Sequence, residues 1–326
     1  MNNLDVFGLD MPCVDLNINV DEMPQPDHGV VVKELSWQGG GKVSSGIVAA
    51  ARLGASCAIG GALGDDLYGR FCYEDFIRHG IDVGNLLVRK GASTHLSVVL
   101  SDKKPGKRSI LFRPGDAPGL TQEEVDWEKV RRAEYLFLAD ASPLGLLAAG
   151  YARRCGTRVF IDADYTSEGL DELTELTDIF IGSEFVFDAL YPGHKEKGLE
   201  NLKEECKKLR ERGPSVVVFT FGEKGCIGSD GNGYFVLPSF AVEAVDTVGA
   251  GDVFHGAFLA QLLKGKGIEE CARAASAASA IKCTRIGGRA GIPSQAVLEK
   301  FLAEGVTDYG EIDERVRFYR RGLEYV

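Results

Sequence analysis

The chain has 326 residues, of which 44% are hydrophobic and 26% charged, and its formal net charge is −11. This length can hold one large α/β domain or two ordinary ones, and the composition is typical of globular proteins. The negative charge argues against nucleic acid as a partner, because phosphate backbones are bound by basic surfaces.

The cysteine spacing and the N-terminal sequence bear on where in the cell the protein is expected to be found. Eight cysteines are widely spaced without a C-x-x-C pair, which favours free thiols and argues against a zinc site. The N-terminal sequence has no basic segment followed by an apolar run, and no stretch approaches the roughly 20 apolar residues that span a bilayer. We therefore expect a cytoplasmic protein with no membrane partner.

The first glycine-rich segment follows two predicted strands, residues 4–9 and 30–35. Residues 39–41 are three glycines, and with Lys42 they open a helical pattern that stops at Gly54. This run is not a P-loop or a dinucleotide fingerprint, because serine and valine stand at required positions of those motifs (Ser36, Val43, Ser44). Two interpretations remain: a close approach to a polar ligand, or a tight strand-to-helix turn.

Residues 94–100 and 108–112 alternate between apolar and polar side chains, and a turn-forming segment, 103–107, joins them. The pattern predicts a β-hairpin with one face in water. Together with the preceding residues, it predicts a small sheet formed by about 11–37 and 92–114. The proline-rich residues 10–26 have the composition of loops or edge strands.

From residue 120 onward, short apolar strands alternate with amphipathic helices, which predicts a mostly parallel sheet covered on both faces. The predicted helices are 121–132, 143–155, 168–176 and 196–212, and the predicted strands are 135–138, 158–161, 179–181 and 216–220. Ligands of such sheets bind at the carboxyl ends of the strands. Several polar residues fall there: Asp140, Asp162, Asp164, Ser183, Glu184 and Thr220.

The segment from Asp246 to Asp252 reads Asp-Thr-Val-Gly-Ala-Gly-Asp. It follows strand-like residues 234–237 and 241–245 and precedes an apolar helix, 253–263. Glycines allow a close backbone approach, and the free amides at a helix start suit a phosphate. An acid in the first turn could then accept a proton from an attacking hydroxyl. The segment therefore indicates phosphoryl transfer; the alternative is a turn followed by a helix cap.

The C-terminal third contains a helical segment rich in small residues, 268–284, whose simplest interpretation is close packing. The last segment, 305–326, is charged, but Ile312, Val316, Tyr319 and Leu323 recur at helical spacing. We expect this extension to be helical and to pack one face on the body or on a neighbouring subunit.

Taken together, these motifs resemble the ribokinase-like (PfkB-type) carbohydrate kinase family. The helix start at residues 40–55 is similar to the family's N-terminal signature, and residues 246–252 match its C-terminal signature almost letter for letter. Residues 61–69 and 220–225 add matches in the expected order. The resemblance extends to about residue 302. It implies a single domain over 1–326: a three-layer α/β/α fold with a mostly parallel central sheet and a small β-sheet lid.

The resemblance also implies an activity, the ATP-dependent phosphorylation of a hydroxymethyl group on a small sugar. Asp252 would deprotonate the hydroxyl, and the amides of Gly249, Ala250 and Gly251 would hold the phosphoryl group. The implied sugar contacts are Asp15, Gly40, Gly41, Lys42 and Ser45. The implied nucleotide contacts are Thr220, Gly222, Gly225 and Thr247. Asp246 and Val248 match a monovalent-cation (K⁺) site of some members, with Arg285 and Ser294 nearby.

The sequence departs from the family pattern in two places, at a polar sugar contact and at a motif linked to magnesium. Ser45 stands where the family usually has asparagine. Ser183 and Val186 replace the asparagine and glutamate of the N-x-x-E motif that is linked to magnesium. Mg²⁺ would still arrive bound to ATP phosphates, and Glu184 or Asp162 could order it through water.

The substrate therefore stays open between a sugar, such as a ketose or pentose, and a nucleoside. Trp37 and Phe112 could stack on a nucleobase, or they could serve as lid core or dimer contacts. A third possibility is a non-catalytic sugar sensor, against which the presence of Asp252 argues. A nicotinamide dehydrogenase is disfavoured, because Ser44 stands where the dinucleotide fingerprint requires its third glycine. The lid hairpin makes a homodimer plausible.

Overall fold

The computed structural model describes residues 4–102 and 108–325. Thirteen strands lie in this part of the chain. They are β1 (Leu4–Leu9), β2 (Cys13–Val20), β3 (Val32–Gly40), β4 (Cys57–Gly64), β5 (Asp82–Arg89), β6 (His95–Asp102), β7 (Arg108–Arg113), β8 (Ala133–Leu138), β9 (Arg158–Ala163), β10 (Ile179–Ser183), β11 (Val216–Thr220), β12 (Cys226–Ser229) and β13 (Tyr234–Leu237).

The same residues form eleven α-helices and four short 3₁₀ helices. The α-helices are α1 (Lys42–Arg52), α2 (Leu67–Arg78), α3 (Trp127–Arg132), α4 (Pro143–Cys155), α5 (Leu170–Leu176), α6 (Glu184–Leu190), α7 (Lys203–Arg210), α8 (Ala250–Leu263), α9 (Ile268–Cys283), α10 (Gln295–Glu304) and α11 (Gly310–Arg320). The 3₁₀ helices are His194–Lys197, Leu199–Asn201, Gly222–Lys224 and Gly322–Tyr325.

Nine of the described strands form the main sheet, in the order β13-β12-β11-β10-β9-β8-β1-β4-β5. The strands from β11 to β5 pair in parallel, and β12 and β13 form an antiparallel edge. Two apolar cores lie on its opposite faces: one includes residues of α1 and α8, and the other residues of α4 and α7. The predicted fold class, a mostly parallel sheet between helical layers with a smaller sheet beside it, is confirmed.

The small sheet has the described order β3-β2-β6-β7. The predicted hairpin is confirmed, since β6 and β7 pair antiparallel; the turn at residues 103–107 lies outside the described residues. Residues 13–20, however, are not a loop or an edge strand. They form β2, which pairs with β3 on one side and with β6 on the other. The alternating Val14, Leu16 and Ile18 suit a strand in that position.

Other boundaries differ from the sequence-based expectations. The helix predicted for 121–132 begins only at Trp127, and the one predicted for 196–212 is α-helical only over Lys203–Arg210. Residues 241–245 do not form a strand; instead, the amide of Val245 donates to Cys283 O at 2.8 Å. This segment is therefore held by a hydrogen bond to the end of α9 and not by pairing with a neighbouring strand.

The packing of α1 on α8 places two helix starts side by side. A Cβ atom at Gly256 would overlap the carbonyl oxygen of Gly46, so the two backbones touch at these glycines. A Cβ atom at Gly46 would lie 3.2 Å from the carbonyl oxygen of Asp252. Only glycine permits this separation. The contact therefore brings the first turn of α8 against the first turns of α1.

The C-terminal segment forms α11, which packs against β3. Ile312, Val316 and Tyr319 are buried in the core that also contains α1 and α8. The Tyr319 hydroxyl donates to Asp75 Oδ1 at 2.7 Å. The C-terminal extension thus packs against β3 and is hydrogen-bonded to α2.

Two further observations concern membranes and thiols. In residues 4–102 and 108–325, no helix has the length and apolarity needed to cross a bilayer. All eight cysteines lie in this part of the chain as free thiols, and Cys155 is the one that is exposed.

Candidate active site

The candidate site lies where five neighbouring parallel strands end at one edge of the main sheet. Asp10 directly follows β1, Asp162 lies near the end of β9, and Ser183 and Thr220 close β10 and β11. Ser183 and Thr220 are paired across the sheet. The predicted clustering of polar residues at the strand ends is confirmed.

The glycines of the first signature fit closely around two carboxylates. A Cβ atom at Gly40 would overlap the carboxylate of Asp15, and one at Gly41 would lie 2.7 Å from Asp10 Oδ2. Gly41 also has a φ of 97°, a left-handed conformation that favours glycine. The strand-to-helix turn alone therefore requires both glycines, whatever ligand binds nearby.

The start of α1 carries a positive charge over this turn. Asp10 Oδ2 accepts a hydrogen bond from the amide of Ser44 at 2.7 Å and so caps the helix. The Lys42 ammonium lies 3.1 Å from Asp164 Oδ2 and 4.8 Å above the ring of Tyr165. Burial alone lowers the pKa of Lys42, but Asp164 and Asp162 outweigh it and raise the pKa. Lys42 therefore stays charged beside the acids.

The start of α8 is left open. Gly249 occupies its N-cap with a φ of 71°, and no side-chain cap bonds to this end within the described residues. A Cβ atom at Gly249 would lie 2.8 Å from Gly288 Cα, whereas one at exposed Gly251 would meet nothing within 4 Å. Free amides at such a helix start can receive an anion. Unlike Gly249, Gly251 is not required by the packing of the chain.

The loop before α8 is tied to the end of α9. Asp246 Oδ1 accepts from the Val248 amide at 3.0 Å, and Asp246 Oδ2 accepts from the Gly287 amide at 2.8 Å. The amide of Ala250 donates to Thr247 O at 3.2 Å. The Lys282 ammonium donates to Asp246 O at 2.9 Å and also to Val248 O. These are carbonyls of the two residues for which the resemblance implies a monovalent cation.

Asp252 and Asp162 form an electrostatically coupled acid pair. Burial raises the pKa of Asp252 well above the ordinary aspartate value, and the charges of Asp162 and Asp164 raise it further; His255 and Lys42 oppose this. Burial and Asp164 raise the pKa of Asp162 in the same way. A carboxylate with a raised pKa is a stronger base than a solvated one, which suits proton abstraction from a hydroxyl.

His255 holds the first turn of α8 against the sheet. Its Nδ1 lies 2.6 Å from Gly251 O and 3.2 Å from Asp162 Oδ2, and its Nε2 lies 3.2 Å from Ile181 O. The hydrogen bond to the Gly251 carbonyl leaves both oxygens of Asp162 without a hydrogen-bond partner in the described residues. Burial lowers the pKa of His255, whereas Asp164 and the Gly251 carbonyl act in the opposite direction.

Arg289 fixes the end of β3 from the buried side. Its Nη1 donates to Asp75 Oδ2 at 2.7 Å and its Nη2 to Gly40 O at 3.0 Å. Gln38 Oε1 accepts from the amides of Arg289 and Ala290 at 2.7 and 2.9 Å. The strand that carries Gly40 is therefore bonded to the loop beneath α8.

Three of the four expected nucleotide residues lie at the end of β11 and in the turn after it, whereas the fourth, Thr247, lies in the loop before α8. Thr220 is half-buried at the strand end, and the amide of Phe221 donates to Gly225 O at 2.8 Å to close the turn. Gly222 has a φ of 55° and Gly225 a φ of 96°, and a Cβ atom at Gly225 would overlap Leu237 O. Turn geometry accounts for these glycines.

The residues that depart from the family pattern lie in different surroundings. Ser45 is buried, with its Oγ 3.9 Å from the position a Cβ atom would take at Gly288. Val186 is fully buried in the apolar core, whereas the Glu184 side chain is 35% exposed. In residues 4–102 and 108–325, no group of three or more acidic, histidine or cysteine side chains could hold a metal ion.

Four residues of this site were not among the sequence-based candidates: Asp10, His255, Lys282 and Arg289. An acid directly after the first core strand is a signal that could have identified Asp10. Lys282 and Arg289 bond to residues that are distant in the sequence, and His255 contacts the distant Ile181 and Asp162 as well as Gly251; no local pattern marks these three residues.

Comparison with known proteins decides the family. Residues 1–295 match the family model described as pfkB family carbohydrate kinase. The chain belongs to this family.

Its members include sugar and nucleoside kinases. The chain is 28% identical to a ribokinase of Haemophilus influenzae over 289 residues, which cover 87% of this chain and 94% of the relative. It is 25% identical to a nucleoside kinase of Methanothermobacter thermautotrophicus over 307 residues, which cover 92% and 96%. The pfkB chain is thus a phosphotransferase.

Solved structures agree in fold. A putative ribokinase from Agrobacterium tumefaciens superposes with a TM-score of 0.82 at 28% identity, covering 93% of this chain and 99% of the other. A putative ribokinase II of E. coli in complex with ATP and Mg²⁺ gives a TM-score of 0.79 at 23% identity, covering 92% and 99%. The latter likeness concerns the fold alone.

Proposed function

We propose that the protein is an ATP-dependent sugar kinase that phosphorylates a hydroxymethyl group. The observation that carries the proposal is the open start of α8. A Cβ atom at Gly251 there would meet no other described residue within 4 Å, and Asp252 lies in the same helical turn. A helix start that no side chain caps and an acid beside it are the two parts that phosphoryl transfer to a hydroxyl needs.

Asp252 acts as the general base. In its ionised form it accepts the proton of the sugar hydroxyl as the hydroxyl oxygen attacks the γ-phosphorus, and the bond from phosphorus to the ADP oxygen breaks. Burial and the neighbouring acids raise the pKa of Asp252, which strengthens the base. His255 and the Lys42 ammonium act in the opposite direction and favour the ionised form.

The amides of Gly249, Ala250 and Gly251 form the anion hole. They lie at the positive end of the α8 dipole, which stabilises the charge on the transferring phosphoryl group. The Ala250 amide bonds to Thr247 O, so Thr247 would release or share this amide when phosphate binds. We place Thr220, Gly222, Gly225 and Thr247 on the nucleotide side.

Magnesium fits this site only as an ion carried by the nucleotide. Both oxygens of Asp162 are enclosed by protein, whereas Glu184 at the start of α6 is accessible. We therefore propose that Glu184 would hold the ion through water. Bound there, magnesium would neutralise charge on the nucleotide phosphates.

The small sheet would serve as a lid that closes over the sugar. Asp15 on β2 offers a carboxylate for sugar hydroxyls, and Gly40, Gly41, Lys42 and Ser45 would line the same side. Ser45 would contact the sugar only if the lid or Gly288 moved, because its side chain is 2% exposed. The ligand would be a small cytoplasmic sugar, such as a ketose or pentose.

A nucleoside is the second candidate substrate, supported by the nucleoside kinase among the relatives. Trp37 is not a free stacking surface: it stacks on Tyr68 at 6.0 Å, and Gly322 packs against its ring. Phe112 is 58% exposed and stacks on His95. The one accessible candidate ring thus lies on the edge strand of the lid.

The first test is turnover. Purified protein with ATP and Mg²⁺ should release ADP with at least one member of a panel of ketoses, pentoses and nucleosides. Asp252→Asn should lower the rate about 10²- to 10⁴-fold, because the general base is lost. Asp171→Asn is the matched control, since Asp171 is an exposed acid in the first turn of α5. Equal loss in both variants, or no turnover with any compound, would contradict the proposal.

A second test separates the two glycines of the anion hole. Gly251→Ala should leave the free energy of unfolding within about 0.5 kcal/mol of wild type, because a methyl group meets no protein atom there. It should nevertheless lower kcat/KM at least about tenfold by obstructing the phosphoryl group.

Gly249→Ala is the comparison for this test, measured by urea unfolding. Its left-handed backbone and the contact with Gly288 should destabilise the fold by roughly 1–2 kcal/mol. Unchanged kinetics in Gly251→Ala would show that no ligand approaches this backbone.

A third test uses pH. The base works when ionised, so activity should fall as the pH drops through the raised pKa of the Asp252–Asp162 pair. Asp162→Asn removes the neighbouring negative charge, lowers the pKa of Asp252 and should move the acidic limb of kcat/KM down by about one pH unit. Glu128→Gln, an equal charge change on exposed α3, should not move it. An unmoved limb in Asp162→Asn would refute the coupling.

A fourth test concerns assembly. Strand β7 is an edge strand with exposed apolar side chains, including Ile110, Leu111 and Phe112, so we propose a homodimer formed through the lid. Sedimentation velocity should find a dimer, and Leu111→Lys should shift it toward monomer. Leu147→Lys, a change at an exposed leucine on α4, should not. A monomeric wild type would refute the proposal.

A further inference from the structure

Lys282 is a fully buried lysine whose ammonium points at main-chain carbonyls. It lies near the end of α9 with an exposed fraction of 0%. Its Nζ donates to Asp246 O at 2.9 Å and to Val248 O. Burying an ammonium is unfavourable unless oxygens replace its water, so this arrangement needs a reason.

The two carbonyls belong to the loop that leads into the proposed anion hole. A trans peptide bond is planar, and its C=O and N–H groups point in opposite directions. Because the Val248 carbonyl points at Lys282, the amide of Gly249 in the same peptide plane points away from it. Lys282 thereby sets the direction of one amide of the anion hole.

A neighbouring hydrogen bond acts in the same way. Ser279, one turn earlier on α9, donates its hydroxyl to Ala250 O at 2.8 Å. The Gly251 amide shares that peptide plane and therefore points to the opposite side. Two side chains of α9 thus hold the peptide planes of both outer amides from behind.

The same position does not fit a monovalent cation. Clustered carbonyl oxygens are typical ligands of K⁺. In this chain, however, the carbonyls of Asp246 and Val248 already bind a positive charge. A second cation on these oxygens would lie against the ammonium and be repelled.

We propose that Lys282 is a built-in replacement for the monovalent cation, so that the loop preceding α8 is organised without K⁺. This inference rests on the proposed function for the meaning of the anion hole. Lys282 is a positioning residue: it does not touch the reacting atoms but orients the amides that would.

The test compares wild type with two variants. Lys282→Ala removes the charge and leaves space for an ion, whereas Lys282→Met removes the charge but keeps most of the side-chain volume. Thermal unfolding is measured in KCl and in tetramethylammonium chloride at equal ionic strength. Crystals of each protein are soaked in thallous acetate, because Tl⁺ mimics K⁺ and scatters anomalously.

We expect the wild-type unfolding midpoint to be equal in both salts and no Tl⁺ peak at the Asp246 and Val248 carbonyls. Lys282→Ala should be destabilised, regain stability specifically in KCl and show the Tl⁺ peak, since an ion that binds only the folded state stabilises it. Lys282→Met should show neither the K⁺-specific recovery of stability nor the Tl⁺ peak.

A K⁺-specific midpoint shift or a Tl⁺ peak at these carbonyls in wild type would overturn the proposal. A folded Lys282→Ala whose unfolding midpoint is the same in KCl and in tetramethylammonium chloride would also overturn it. If Lys282→Ala does not fold, the wild-type unfolding midpoints in the two salts and the wild-type Tl⁺ soak still test the proposal. Neither readout needs turnover, so a failed sugar panel would count against the proposed function and not against Lys282. If a sugar is turned over, wild-type kcat should not depend on K⁺, and K⁺ should restore kcat in Lys282→Ala.

Discussion

The contact between α1 and α8 at Gly46 and Gly256 is the constraint on which the candidate site depends. No Cβ atom fits at Gly256, because it would overlap the Gly46 carbonyl, so the two helices approach as close as their backbones allow. The N-cap of each helix is a glycine with a positive φ. Contacts with Asp10 after β1 and with the Ile181 carbonyl on β10 hold both helix starts at the carboxyl edge of the main sheet. Lys42 and Asp252 are consequently brought to the same place although 209 positions separate them in the sequence.

The two helix starts differ in how their amides are satisfied, and this difference gives the site its polarity. Asp10 caps α1, whereas α8 has no side-chain cap in the described residues, and of the three proposed anion-hole amides Ala250 alone is bonded, to Thr247 O. Around them, burial and mutual repulsion raise the pKa values of Asp162 and Asp252. Such an acid cluster would be unfavourable without Lys42, whose charge the same acids maintain. Base, anion hole and cation thus depend on one another.

Much of the fold follows from local sequence patterns. Apolar runs and helical spacing identified α4 and β11 to the residue, because both are bounded by strong local signals such as Ser142–Pro143 and Gly213–Pro214. The short α6, the edge strand β5 and the inner position of β2 were missed, since pairing and burial decide them more than periodicity does. Within the site, Asp252 and the glycines were recognisable from their motif. Lys282, Arg289 and His255 were not, because each acts on a partner from another element that only the folded chain brings near.

The most direct test of the central claim is a crystal structure with ADP, magnesium, aluminium fluoride and a sugar that the protein turns over. Aluminium fluoride mimics a phosphoryl group in transfer. The account predicts that it lies against the amides of Gly249, Ala250 and Gly251, with the Asp252 carboxylate on the sugar hydroxyl. A metal fluoride bound away from the start of α8, or a sugar hydroxyl that does not contact Asp252, would contradict it.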